Sequence, residues 1–147
     1  MKEELYKICE SYLEEKIVRI AHSIQDLESA LTNESKSSAG DKYETGREMI
    51  NIEIHKLSTQ LQQFQKLQIT LGVAKRNSAT DMVRMGSVIE ATNANYFICI
   101  PIGEVEIGDK KVYVIGASSP IAQALIGKTT GDNFNFNSVT GSIVSIS

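Results

Sequence analysis

The chain has no tryptophan, and only two histidines, two prolines and two cysteines. Each scarcity excludes something. Cys9 and Cys99 lie far apart among apolar residues, so they read as reduced core thiols, not as a disulfide or metal framework. His22 and His55 stand singly, and neither has a metal-ligand partner at helical spacing. The C-terminal half contains no histidine, so no Ser/His/Asp or Cys/His set forms there. The longest apolar runs, such as Tyr96 to Ile102, are too short to span a bilayer. Met1-Lys2-Glu3-Glu4 lacks the basic-then-apolar plan of a signal peptide, so a cytoplasmic location without membrane contact is expected. Positive charge is also short: the net charge is −3 and the pI about 5.4. Such a chain has no global attraction to nucleic acid, so DNA or RNA is reached only indirectly, through another protein.

Glycine and proline are unevenly spread. Only Gly40 and Gly46 precede Gly72, and Pro101 and Pro120 both follow it. The first half is rich in Leu, Ile, Glu, Lys and Gln, and the second in Val, Ile, Gly, Ser and Asn. Two domains are expected, a helical one over 1–75 and a sheet-based one over 80–147, joined by a linker within Gly72 to Asp81.

The helical half carries a heptad stripe. Leu13, Ile17, Ile20, Ile24, Leu27 and Leu31 alternate spacings of four and three, the seam of a coiled coil. Before Leu13 the stripe drifts to Leu5, Ile8 and Tyr12. Ile50, Ile54, Leu57, Leu61 and Phe64 repeat the pattern, and Leu67 and Leu71 extend it. Five pairs, from Leu31 with Ile50 to Ile17 with Phe64, have numbers summing to 81. Equal residue counts from a bend mean equal distances along two helices, so the chain is expected to fold back near Gly40 and Asp41. The result is an antiparallel coiled-coil hairpin with charged outward faces.

The polar stretch Glu34 to Gly46, with its centre near 37–46, becomes the hairpin tip. Asp41 and Glu44 have two readings there. As a capping box, Asp41 caps the second helix while Glu44 reaches back to it. As ligands, the two carboxylates sit at the tip to hold a magnesium ion supplied from outside. A capping carboxylate keeps a second oxygen free, so the readings are compatible.

The second half predicts strands at Met85–Ala91, Asn95–Ile102, Lys111–Gly116, Asn133–Asn137 and Ser142–Ile146. Turn signals separate them at 92–95, 107–109 and 139–141. One short helix is well marked: Ser119 as N-cap, Pro120 at its first position, and Gly127 as its stop. A small antiparallel sheet with one helix packed on it makes the whole chain α+β. Gly127-Lys128-Thr129 is not a phosphate loop, because the first glycine of that motif is missing.

Together these pieces resemble the bacterial GreA/GreB transcript-cleavage factors: a coiled-coil hairpin, an acidic tip, then an FKBP-like domain. Gly40-Asp41-Lys42-Tyr43-Glu44 is similar to the family's Gly-Asp-x-x-Glu tip. Ser119-Pro120-Ile121-Ala122-Gln123-Ala124-Leu125-Ile126-Gly127-Lys128 matches its C-terminal signature almost residue for residue. The resemblance implies a monomer that docks on RNA polymerase at the secondary channel, with Ser119 and Pro120 in the docking region. It implies that Asp41 and Glu44 are the catalytic carboxylates, sharing magnesium with the polymerase, which hydrolyses its own backtracked transcript. Magnesium would be held only in that complex, none stably alone, and the chain is an accessory factor, not itself an enzyme.

Two alternatives stand beside this. Thr45-Gly46-Arg47-Glu48-Met49 follows the acids, where the family's usual tip has an asparagine and then an acid-tyrosine pair. A channel-bound regulator that does not stimulate cleavage is therefore a second reading. An FKBP-like prolyl isomerase or chaperone is a reading of another class; its proline pocket would have to come from Tyr96, Phe97, Tyr113, Phe134 and Phe136.

Overall fold

The computed structural model describes the backbone of residues 1–35, 40–77 and 80–147, and the side chains of 1–33, 45–77 and 80–147. Two long helices come first, α1 (Lys2–Ser35) and α2 (Gly40–Arg76). Then follow β1 (Val88–Ala91), β2 (Asn95–Cys99), β3 (Gly103–Ile107), β4 (Lys110–Gly116), α3 (Pro120–Leu125), β5 (Asn133–Phe136) and β6 (Val139–Ile146). Compactness groups Met1–Tyr12 with Gln68–Ser147, apart from Leu13–Leu67. Among the described residues, no helix is long and apolar enough to cross a membrane.

Leu13–Leu67 is the helical hairpin. The stripe explains its packing. Leu13 and Ile20 are buried, and Ile17, Ile24, Leu27, Leu31, Ile50, Ile54, Leu57, Leu61, Phe64 and Leu67 are half-buried. Glu14, Glu15, Arg19, Asp26, Glu28, Arg47, Glu48, Glu53 and Lys56 on the other faces are exposed. Half-burial is what a two-helix arm allows, since each seam residue has one partner helix and open solvent beside it. The break between helices does not centre on Gly40 and Asp41: α1 ends at Ser35 and α2 already includes Gly40. A heptad stripe sets which faces meet but leaves their axial offset free. Lys36 to Ala39, part of the expected tip, lie outside the described residues.

In the other unit the sheet has strand order β3-β4-β2-β1-β6-β5. It is mostly antiparallel, but β2 and β4 run parallel, with Tyr96 opposite Tyr113 and Ile98 opposite Ile115. The strand that allows this is β3, absent from the sequence expectation. It forms a hairpin with β4 through Gly108-Asp109 and pairs on the far side of β4 from β2. Its alternation of Glu104, Val105, Glu106 and Ile107 was the available signal. A second correction concerns the last hairpin. Val139 to Gly141 are strand, and the turn is Asn137-Ser138, both at positive φ. Two such residues in a two-residue loop make the turn whose twist suits a hairpin.

The central strand is buried on both faces. Tyr96 and Ile98 point into a core with Val83, Ile89, Ala122, Leu125, Phe134 and Ile143, which seats α3. Phe97 and Cys99 point the other way, where Val88, Val112 and Val114 share their face by register and are also buried. The ends of the long helices meet this second face. Tyr6 packs edge-on against Phe97 at 5.3 Å, and its hydroxyl donates to the Ala74 carbonyl at 2.9 Å. Asn77 Nδ2 donates to Met85 O, and Lys75 pairs with Glu10. The expected linker from Gly72 is therefore helical as far as Arg76, because buried Leu71 and Ala74 give that last stretch an apolar anchor. The early drift of the stripe has the same cause: Leu5 and Cys9 are buried in the sheet unit, outside the hairpin seam.

Candidate functional site

The ten-residue stretch from Ser119 to Lys128 is built as its local chemistry demands. Ser119 is extended at φ −66°, ψ 150°, and its hydroxyl oxygen accepts from the Ala122 amide at 3.3 Å. The same hydroxyl donates to Gly116 O at 2.8 Å, fastening the helix start to the end of β4. Pro120 takes the first helical position, where its missing N–H costs nothing. Gln123 closes the loop by donating to Ala117 O. Gly127, at φ 87°, ends the helix, and its amide donates to Val83 O. Ala122 and Leu125 are fully buried, while Pro120 and Gln123 are exposed. The start of α3 is thus a rigid, solvent-facing corner on a buried base.

Beside it lies an apolar groove of about 380 Å³, lined by Tyr96, Tyr113, Ile115, Ile121, Phe136 and Val139 among others. Tyr96 and Tyr113 are adjacent at 5.9 Å, and Asn93 donates to the Tyr96 hydroxyl at 2.9 Å. Burial pushes the Tyr96 phenol up, partly offset by that hydrogen bond. Tyr113 and Val139 remain 38% and 45% exposed. Sequence reasoning did not find the groove. Of the five aromatics it weighed, Phe97 faces the opposite side of the sheet, and Phe134 is buried against Tyr96 at 6.4 Å. Strand parity was the only signal, and it depends on the β2–β4 pairing.

The other expected site is at the start of α2. Asp41 is helical, one residue past Gly40, in the first turn of α2. Glu44 follows three positions later, less than one turn along the same helix. The side chains of both lie outside the described residues.

Residues 78–147 match the family described as "Transcription elongation factor, GreA/GreB, C-term". Over those 70 residues, just under half of the chain, it is similar to a GreA/GreB C-terminal domain, and to that extent it is GreA/GreB-like. The matched region holds the whole sheet, α3 and the groove, with Ser119 and Pro120 at its corner. Asp41 and Glu44 lie outside the matched residues. No match is found among curated proteins. The crystal structure of Thermus aquaticus Gfh1 aligns over 95% of this chain and 94% of its own, at 18% identity and a TM-score of 0.34. A likeness of that degree decides neither fold detail nor function.

Proposed function

We propose that this chain binds RNA polymerase at its secondary channel and stimulates the polymerase's own cleavage of backtracked transcript. The observation that carries the reading is the likeness to a GreA/GreB C-terminal domain, preceded by a helical hairpin whose second helix opens with Gly40-Asp41-Lys42-Tyr43-Glu44. Docking falls to the α3 corner. Ser119 holds the backbone there, Pro120 presents an exposed apolar ring, and the groove beginning at Ile121 continues the surface. A rigid apolar corner of this kind loses little side-chain freedom on binding.

Asp41 and Glu44 are the residues that would hold magnesium in the complex. Two carboxylates less than a turn apart suit a hard, oxygen-seeking cation and leave its other positions to water and the partner. Such an ion supplies charge stabilisation and an activated water to phosphodiester hydrolysis. The chain's own contribution is to bring two negative charges on a helix start to the polymerase, whose centre does the chemistry.

The neighbours of the acids support the second reading, a factor that occupies the channel without stimulating cleavage: Thr45, Gly46 and Arg47 stand where the family's usual tip continues differently. One experiment separates them. A backtracked elongation complex is incubated with the protein and magnesium, and transcript length is followed. Shortened transcripts that disappear with Asp41→Ala and Glu44→Ala, at unchanged polymerase binding, are expected. Tight binding without shortening selects the regulator, and no binding at all removes both.

A further inference from the structure

We propose that Cys9 and Cys99 are an oxidisable pair that closes to a disulfide with a small-molecule disulfide as oxidant, stapling the start of α1 to β2. These are the chain's only cysteines, ninety residues apart in sequence. They lie in one compact unit and are 0% and 1% exposed.

The register between helix and strand brings them together. Tyr6 and Phe97 meet edge-on at 5.3 Å. From Tyr6 to Cys9 is roughly 4.5 Å along a helix, on the same face. From Phe97 to Cys99 is roughly 6.6 Å along a strand, again on the same face. Cys9 and Cys99 thus each lie beside the ring contact, on the buried faces that carry Tyr6 and Phe97. The two thiols are hydrogen-bond neighbours, and that contact together with burial pushes Cys99 up. Burial raises the Tyr6 phenol, and the neighbouring thiols add to it.

Exchange begins with one thiolate of the pair. The Cys9 thiolate attacks a sulfur of the oxidant, forming a mixed disulfide and expelling one thiolate. Cys99 loses its proton, attacks the Cys9 sulfur and expels the second thiolate. Two protein thiols are oxidised, one reagent disulfide is reduced, and the two released thiolates take up the two protons. Burial means the reagent enters only when α1 opens locally from β2; in the oxidised chain that opening is prevented. The inference does not depend on the polymerase reading, because its readout is chemical.

The full chain, reduced and then exposed to oxidised glutathione, is alkylated under denaturing conditions and weighed intact. Expected are the loss of two hydrogen atoms of mass, no alkylation, a Cys9–Cys99 linked peptide, and a rise in denaturation midpoint that dithiothreitol reverses. A titration against glutathione redox buffers should favour the disulfide on the order of a hundredfold more in the folded chain than in urea. Two alkylated thiols, a persistent glutathione adduct, a link between chains, or equal constants folded and unfolded would each overturn the proposal.

Discussion

Gly86→Ala is the sharpest test of how the last turns of α2 meet the sheet. Gly86 has φ 91°, and a Cβ placed there would stand 2.6 Å from the Ala74 carbonyl oxygen and 3.3 Å from its carbon. Neither side can give way easily. The Gly86 amide donates to Ile98 O at 2.7 Å, which ties it to β2. The threatened Ala74 oxygen is the acceptor of the Tyr6 hydroxyl. An alanine forced to positive φ costs about 1 kcal/mol. Overpacking against backbone adds about 2 kcal/mol. The sum, about 3 kcal/mol, is a large share of the ~5–15 kcal/mol typical of a folded chain. With a urea slope of about 2 kcal/mol/M, the midpoint should fall by about 1.5 M. Gly127→Ala is the control. It shares a positive φ of 87° but has nothing within 4 Å of the added methyl, so it should lose only the conformational part, about 0.5 M. Equilibrium urea unfolding of both variants, followed by circular dichroism, decides it. If Gly86→Ala falls no further than Gly127→Ala, the close approach of α2 to the sheet is not what demands glycine.

Two further outcomes follow from local chemistry. Ser119→Ala removes the cap of α3 and its bond to Gly116, and should cost about 1 kcal/mol in the same unfolding assay; a loss of polymerase affinity well beyond that in a pull-down would mark the hydroxyl as part of the docking surface. Asp132 is held below the usual carboxylate range by hydrogen bonds from the Thr129 amide (2.8 Å) and hydroxyl. A lowered folded value means its contribution is present above the ordinary carboxylate pKa and is lost as pH falls through the folded one. The stability gap between the wild-type chain and Asp132→Ala should therefore be open at neutral pH and close in acid. A gap unchanged down to the acid limb would contradict the hydrogen-bonded carboxylate.

Several features were legible because nearby residues decide them. The seam of the hairpin needs only spacings of three and four, and every described seam residue is buried or half-buried. The short helix needed only Ser119, Pro120 and Gly127, and all three do what their types predict. The Asn137-Ser138 turn was misplaced because Gly141 looked like a better turn residue. Gly141 is instead a strand position where an added methyl would strike the Phe134 ring at 2.6 Å and Asn93 at 2.8 Å. It is glycine for want of space, and that lack of space comes from a different strand.

By itself, then, the sequence determined the hairpin, the α3 corner, the α+β class and the Asp41–Glu44 spacing, since each rests on interactions within one or two helical turns. Tertiary structure alone decided the parallel β2–β4 pair, the place of β3, the groove beside Ile121 and the meeting of Cys9 with Cys99. Strand alternation says that Phe97 and Cys99 share a face. It cannot say that α1 covers that face, because pairing across ninety residues depends on how the whole sheet is ordered.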